Sequence, residues 1–204
     1  MPHALTLQDF WAPIALYAFA TSASPGPVNM VAATSGTHFG VRRTLPQVLG
    51  ASLGFSLLLL AIGLGLGTVF QALPWLYQVM RVIGSLFLCY LAWKLWHASA
   101  APAEAARVER PPGFIEGLAA QWLNPKAWIV AIAGIAAYTT PGESYLVRVT
   151  AMAAVFLVVC FPSVGAWAVF GAAARRLMKT ERAIHRFNGA MALLLVASIV
   201  LLFI

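Results

Sequence analysis

Residues 10–33 read FWAPIALYAFATSASPGPVNMVAA, 24 consecutive positions without a charge, interrupted by Ser24-Pro25-Gly26-Pro27. A bilayer core of roughly 30 Å is crossed by about 20 predominantly apolar residues in a helix. The run is therefore long enough to span, yet it carries a proline pair that stops a helix part-way. Five more runs pass the length test, at 45–70, 75–96, 114–138, 146–172 and 187–204.

The 204 residues are 61% hydrophobic and only 9% charged, with mean hydropathy +0.84. A soluble domain carries about 25% charged residues, so too few charges remain to coat a surface facing water. The six runs hold only Arg81, Lys94, Glu116, Lys126 and Arg148 of the chain's 13 Lys+Arg and 6 Asp+Glu. Barrel strands are about 10 residues long and alternate apolar with polar positions, which these runs do not. The expected fold is all-α: six transmembrane helices in one transmembrane domain over 1–204. The first run outlasts a secretory signal core and should remain as the first span.

Arg42 and Arg43 lie between runs one and two, and Arg107 and Arg110 between three and four. Arg175, Arg176, Lys179, Arg182 and Arg186 lie between five and six, while the other connections and both ends hold no basic residue. Positive charge marks the cytoplasmic side, so both termini should face outward. The same placement beside anionic head groups accounts for the net charge of +7 without a nucleic-acid partner.

The linker 97–113, rich in Ala and Pro, separates 10–96 from 114–204, three spans each. An odd number of spans inverts the second half relative to the first, a recurring plan of secondary transporters with discontinuous helices at equivalent places. The interruptions fall in the first span of each half, helices 1 and 4. Ser24 precedes Pro25, and Asn124 precedes Pro125. A capping residue followed by proline starts a helix, so Ser24 and Asn124 are expected as N-caps.

A restarted helix exposes unpaired N–H groups and a partial positive charge. With the halves inverted, the two new N-termini point toward each other and attract an anionic group. At about 1.5 Å rise per residue, Lys126 sits about 18 Å into its span and Gly26 about 24 Å into its own. Bare backbone at such depth requires protein or a watery cavity around it. The simpler alternative is that the prolines merely kink packed helices.

An ammonium near the bilayer centre costs at least about 2.5–3.5 kcal/mol and needs a partner or water. Lys126 is therefore a candidate for the site, against a snorkelling or structurally paired lysine. Arg81 can snorkel to the outer interface. Glu116 is the only carboxylate within the runs, so a cationic side chain at mid-membrane would lack a counter-charge. That favours a zwitterionic neutral solute whose carboxylate meets Lys126 and the half-helix ends. Gly50 with Gly54, and Gly63, Gly65 and Gly67, suit close helix packing or a homodimer. Cys89 and Cys160 read as small packing residues, with no disulfide.

Ser24-Pro25-Gly26-Pro27-Val28-Asn29, then Gly40-Val41-Arg42, Gly50 and Gly54, resembles the signature of the LysE/RhtB family of amino-acid exporters. Phe114-Ile115-Glu116-Gly117 with Gln121, Leu123, Asn124, Pro125, Lys126 and Ala127 is similar to that family's fourth-span motif, and Asn188-Gly189 fits its sixth span. Span 2 looks most like the branch exporting cysteine and O-acetylserine, followed by threonine and homoserine exporters. The resemblance implies efflux of amino acids or derivatives across a bacterial inner membrane, driven by the proton gradient. Within it, Asn29, Asn124 and Gln121 would hydrogen-bond the solute, Ser24 and Lys126 would join them, and Pro25, Gly26, Pro27 and Pro125 would hold the backbone open. Asp9 and Glu116, at span edges, are the acidic candidates for coupling.

One rival is a membrane thiol-redox carrier with an inverted three-plus-three plan, which needs a cysteine in each of two mirrored spans. Cys89 and Cys160 fall in spans 3 and 5, which are not mirror mates. An intramembrane hydrolase needs a nucleophile with a base, or a metal cluster. His3, His38, His97 and His185 all lie in the tail or loops, so no enzyme, metal or cofactor is expected. A purely structural protein leaves the deep lysine unexplained.

Overall fold

A computed structural model describes residues 7–66, 74–97, 110–140, 142–178 and 180–200. The expected first span is two helices, α1 (Leu7–Ala23) and α2 (Pro27–Phe39), and the expected fourth is α5 (Phe114–Trp122) and α6 (Pro125–Tyr138). The remaining elements are α3 (Val41–Ala61), α4 (Pro74–Trp96), α7 (Tyr145–Leu177) and α8 (Glu181–Val200). The described residues are thus helical with no strand. Helix α3 runs into a π turn, Ile62–Leu66, where Gly65 takes φ +119°, a value that favours glycine. The middle of the linker (98–109, with Arg107), Gly67, Lys179 and the end of the sixth run (201–204) lie outside the described residues.

Among the described residues, two elements are long and apolar enough to cross a membrane unaided, Val41–Leu66 and Tyr145–Leu177. At 33 residues α7 is about 50 Å long. Leu16, Phe19, Val158, Val169 and Leu193 are exposed, the arrangement expected of helices that face lipid. Prolines do not all behave alike. Pro13, Pro46 and Pro162 sit inside continuous helices, whereas the chain stops and restarts at Pro25-Gly26-Pro27 and at Asn124-Pro125.

Six of the basic residues assigned to loops lie on helices, while Arg110 stays in the connection before α5. Arg42 and Arg43 open α3, Arg175 and Arg176 close α7, and Arg182 and Arg186 sit in α8. The connection between α2 and α3 is the single residue Gly40, at φ +79°. Helical hydrogen bonding simply continues beyond the apolar stretch, and the arginines mark where each helix leaves it.

Helix α7 packs against α1, α2 and α3, while α3 also packs on α5 and α4 on α8. Without a hydrophobic drive between helices in lipid, contact depends on small residues that let backbones approach. Across α2 and α7, a Cβ on Gly36 would strike the Ala168 carbonyl, and one on Gly171 the Ala33 carbonyl. Across α3 and α5, Gly50 faces the Phe114 carbonyl and Gly117 that of Gln47. Thr37 donates to Gly171 O at 3.1 Å, and Ser56 to Ala153 O at 2.9 Å. The aromatic centre is Phe156, edge-on to Tyr17 at 5.9 Å and tilted against Phe55 at 4.8 Å.

These contacts yield a paired test. Gly36→Ala or Gly50→Ala should force helices apart against backbone, an overpacking cost of about 1–3 kcal/mol or more. Gly165→Ala, whose Cβ would meet only Val48 Cγ1 at 4.0 Å, should be tolerated. Thermal stability of the purified variants by fluorescence-detected size exclusion in detergent measures the contrast.

Candidate functional site

When a helix ends in a non-aqueous interior, its last carbonyls need donors from elsewhere. At the end of α1 each is supplied. Ser24 N closes on Ala20 O at 3.2 Å, and Ser24 Oγ donates to Thr21 O at 2.9 Å. Asn29 Nδ2 donates to both Ser22 O (2.7 Å) and Ser24 O (2.8 Å), and the Trp167 indole on α7 donates to Ala23 O at 3.1 Å. Lys126, from the other break, completes the set. Its Nζ reaches Ser24 Oγ at 2.6 Å, Pro25 O at 3.1 Å and Ser24 O at 3.3 Å.

The second break fastens itself. Asn124 caps α6 by accepting from Lys126 N at 3.1 Å, and its Nδ2 donates to Gln121 Oε1 at 3.3 Å. The Trp128 indole turns back onto Trp122 O at 2.7 Å. Asn124 is therefore the N-cap expected of it. Ser24 is not: the cap of α2 is Gly26, in extended backbone with no side chain over the first amides, and Pro27 is the first helical residue. Pro27 disfavours helical geometry in the residue before it, so Gly26 stays extended and the new helix starts two positions later than Ser24-Pro25 suggested. The Ser24 hydroxyl is then free to bind Thr21 O and to accept from Lys126.

Between the two breaks lies a cavity of about 40 Å³, room for on the order of three waters. Six of the nine expected solute-binding residues line it: Gly26, Pro27, Asn29, Gln121, Asn124 and Lys126. Ser24 and Pro25 stand behind it as the acceptors for Lys126. Pro125 is buried against α4, where a Cβ on Gly84 would meet its ring at 2.7 Å.

The walls also include residues the sequence did not single out. Thr21 and Ser22 come from α1, Phe55 from α3, Val130 from α6, and Cys160 and Val164 from α7. Thr21 and Ser22 belong to the polar run that leads into the break, a signal available in the sequence. Cys160 had been read as packing only, since no periodicity tells which face of an all-apolar helix turns inward. No acidic side chain is among the lining residues.

Glu116 lies away from the cavity, at the start of α5, accepting from Gly113 N at 3.1 Å and paired with Arg110 at 2.6 Å. The side chain of Asp9 lies outside the described residues. Cys89 and Cys160 are both free thiols, on α4 and α7. No group of three or more metal-ligating side chains occurs among the described residues.

Comparison with known proteins gives these features a context. The chain is similar to the cysteine/O-acetylserine efflux protein of Salmonella typhimurium, 28% identical over 140 residues and 67% of each chain. It is also similar to proteins of that name from Shigella flexneri, at 26% over 98% of each chain, and Escherichia coli O1:K1 / APEC, at 26% over 97%. No solved structure matches it. The family model described as LysE type translocator matches residues 19–203, nearly the whole chain, and the protein belongs to that family.

Proposed function

We propose that this protein exports small neutral amino acids or their derivatives, such as cysteine, O-acetylserine, threonine or homoserine, by alternating access at the cavity between the two helix breaks. Its family makes it a membrane translocator of the amino-acid efflux type rather than an enzyme. The observation that carries the reading is the meeting of both breaks in one cavity with polar and apolar walls.

A zwitterion suits each wall. The start of α2 offers amides without a side-chain cap, a place for a carboxylate near a helix N-terminus. The side-chain amides of Asn29, Gln121 and Asn124 flank it, and Lys126 stands at its edge. Phe55, Val130, Cys160 and Val164 form an apolar wall suited to a short side chain. With no carboxylate among the described wall residues, a cationic side chain finds no partner in them.

The helix contacts support two inverted halves, 10–96 and 114–204, on either side of the linker. Exchanging α1 with α5, α2 with α6, α3 with α7 and α4 with α8 turns the α1–α7 contact into α5–α3, and α2–α7 into α6–α3. It leaves α3–α7 and α4–α8 unchanged, and all of these contacts are present. Six spans in a bacterial inner membrane, with the arginine-bearing helix ends in the cytoplasm and both termini outside, complete the reading. Transport is coupled to protons, and a homodimer is compatible with it.

Counterflow in proteoliposomes tests the function. Purified protein should exchange one of labelled L-cysteine, O-acetyl-L-serine, L-threonine or L-homoserine, and unlabelled lysine or arginine should not compete. Competition by the two cationic amino acids alone would refute the charge reasoning. Asn29→Asp, nearly isosteric, withdraws the donors from Ser22 O and Ser24 O. Ser22 O is then stranded and Ser24 O keeps only Lys126; a stranded carbonyl costs about 1–3 kcal/mol, so counterflow should fall about fivefold or more in protein that still elutes as a single species.

A further inference from the structure

We propose that Lys126 is the proton carrier of this transporter, and that the three oxygens holding it, Ser24 O, Ser24 Oγ and Pro25 O, take the solute's α-ammonium in exchange for the lysine's. This rests on the export reading above and assigns the coupling step within the same site.

The Lys126 amine is held without a counter-charge among its acceptors. Its acceptors at 3.3, 2.6 and 3.1 Å are two backbone carbonyls and a hydroxyl, all neutral. That arrangement is a seat for any primary ammonium, since three convergent oxygens match its three N–H groups. An amino acid brings the same group. Ser24 O already accepts from Asn29 Nδ2, so five lone pairs face the six N–H groups of two mutually repelling cations, and one ammonium must leave when the other arrives. The seat also adjoins the cavity, because Gly26, directly after Pro25, and Lys126 both line it. A solute with its carboxylate at the start of α2 has its ammonium within a residue or two of Ser24 and Pro25.

Among the described residues few other groups can carry the proton. From α1, Tyr17 commits its hydroxyl to Val130 O at 2.8 Å, and the side chain of Asp9 lies outside the described residues. From α7, the titratable side chain on the cavity is the Cys160 thiol, which carries no positive charge to exchange. From α3 and α5 come only Phe55 and Gln121, with Glu116 at the far end of α5 paired to Arg110. On α4, which packs on α6, the side chain of Arg81 lies outside the described residues.

The cycle balances with one proton. Facing the cytoplasm, the Lys126 ammonium breaks one N–H bond and gives that proton to water, and the neutral amine leaves the oxygens. The solute's ammonium takes them, and the loaded site turns outward. After release, Lys126 regains a proton from external water and reseats, and the site returns. One proton enters for each zwitterion exported, with no redox step. A charged lysine and a bound solute exclude each other, which is the requirement for obligatory exchange.

The test uses full-length protein in proteoliposomes and the amino acid that wild type exchanges best among the four named above. Wild type should show counterflow without a gradient. Under an imposed gradient of one pH unit, it should accumulate solute up to about tenfold. Lys126→Met should lose gradient-driven accumulation, and the counterflow it retains, lowered by the loss of a wall residue, should no longer respond to pH. Lys126→Arg should lose both, because a guanidinium does not deprotonate and stays in the seat. Gradient-driven accumulation by Lys126→Met would overturn the proposal. So would loss of counterflow in Lys126→Met that still elutes as a single species, since Lys126 would then hold the solute or the fold. Absence of counterflow in wild type with all four solutes would instead refute the export reading itself.

Discussion

Carbonyls left behind by a broken helix have no water to turn to inside a bilayer, and this need governs the centre of the molecule. The end of α1 is tolerable only because donors from three other elements arrive there: Asn29 from α2, Trp167 from α7 and Lys126 from α6. The break is thus a meeting point of the whole bundle. It places the cavity where those elements converge, and it explains how Lys126 is held with no carboxylate of the described residues beside it. Three oxygens solvate its ammonium.

Convergence of that kind requires helices to come closer than ordinary side chains permit. The glycines at 36, 50, 117 and 171 provide it, each facing a backbone carbonyl of the neighbouring helix. Removing side-chain bulk from these interfaces brings α2 onto α7 and α5 onto α3. Bulk is retained at Phe55, Tyr17 and Phe156, which fill the space the breaks would otherwise leave.

Much of this is legible in the amino-acid sequence. Run lengths gave the helices, and the pairing of a polar capping residue with proline separated Asn124-Pro125 from Pro13, Pro46 and Pro162, whose helices continue. Six lining residues followed from the same motifs. The exact cap at the first break did not, because two prolines two positions apart compete to start a helix and only the geometry before Pro27 decides between them. The apolar runs stop short of the helices at both Arg42, where α3 begins earlier, and Arg175, where α7 ends later, since hydropathy marks where apolar sequence stops and not where hydrogen bonding does. Cys160 and Trp167 were missed for another reason. On α7, apolar on nearly every face, sequence carries little record of which residue looks inward.

The length of α7 has one more consequence. At about 50 Å it exceeds a hydrocarbon layer of roughly 30 Å, so its apolar middle and its terminal arginines fix a preferred slant in the membrane. A thinner sheet of lipid is met by leaning further, a thicker one by standing straighter. Because the same rod carries Trp167, whose indole holds Ala23 O, any change of slant is felt at the end of α1.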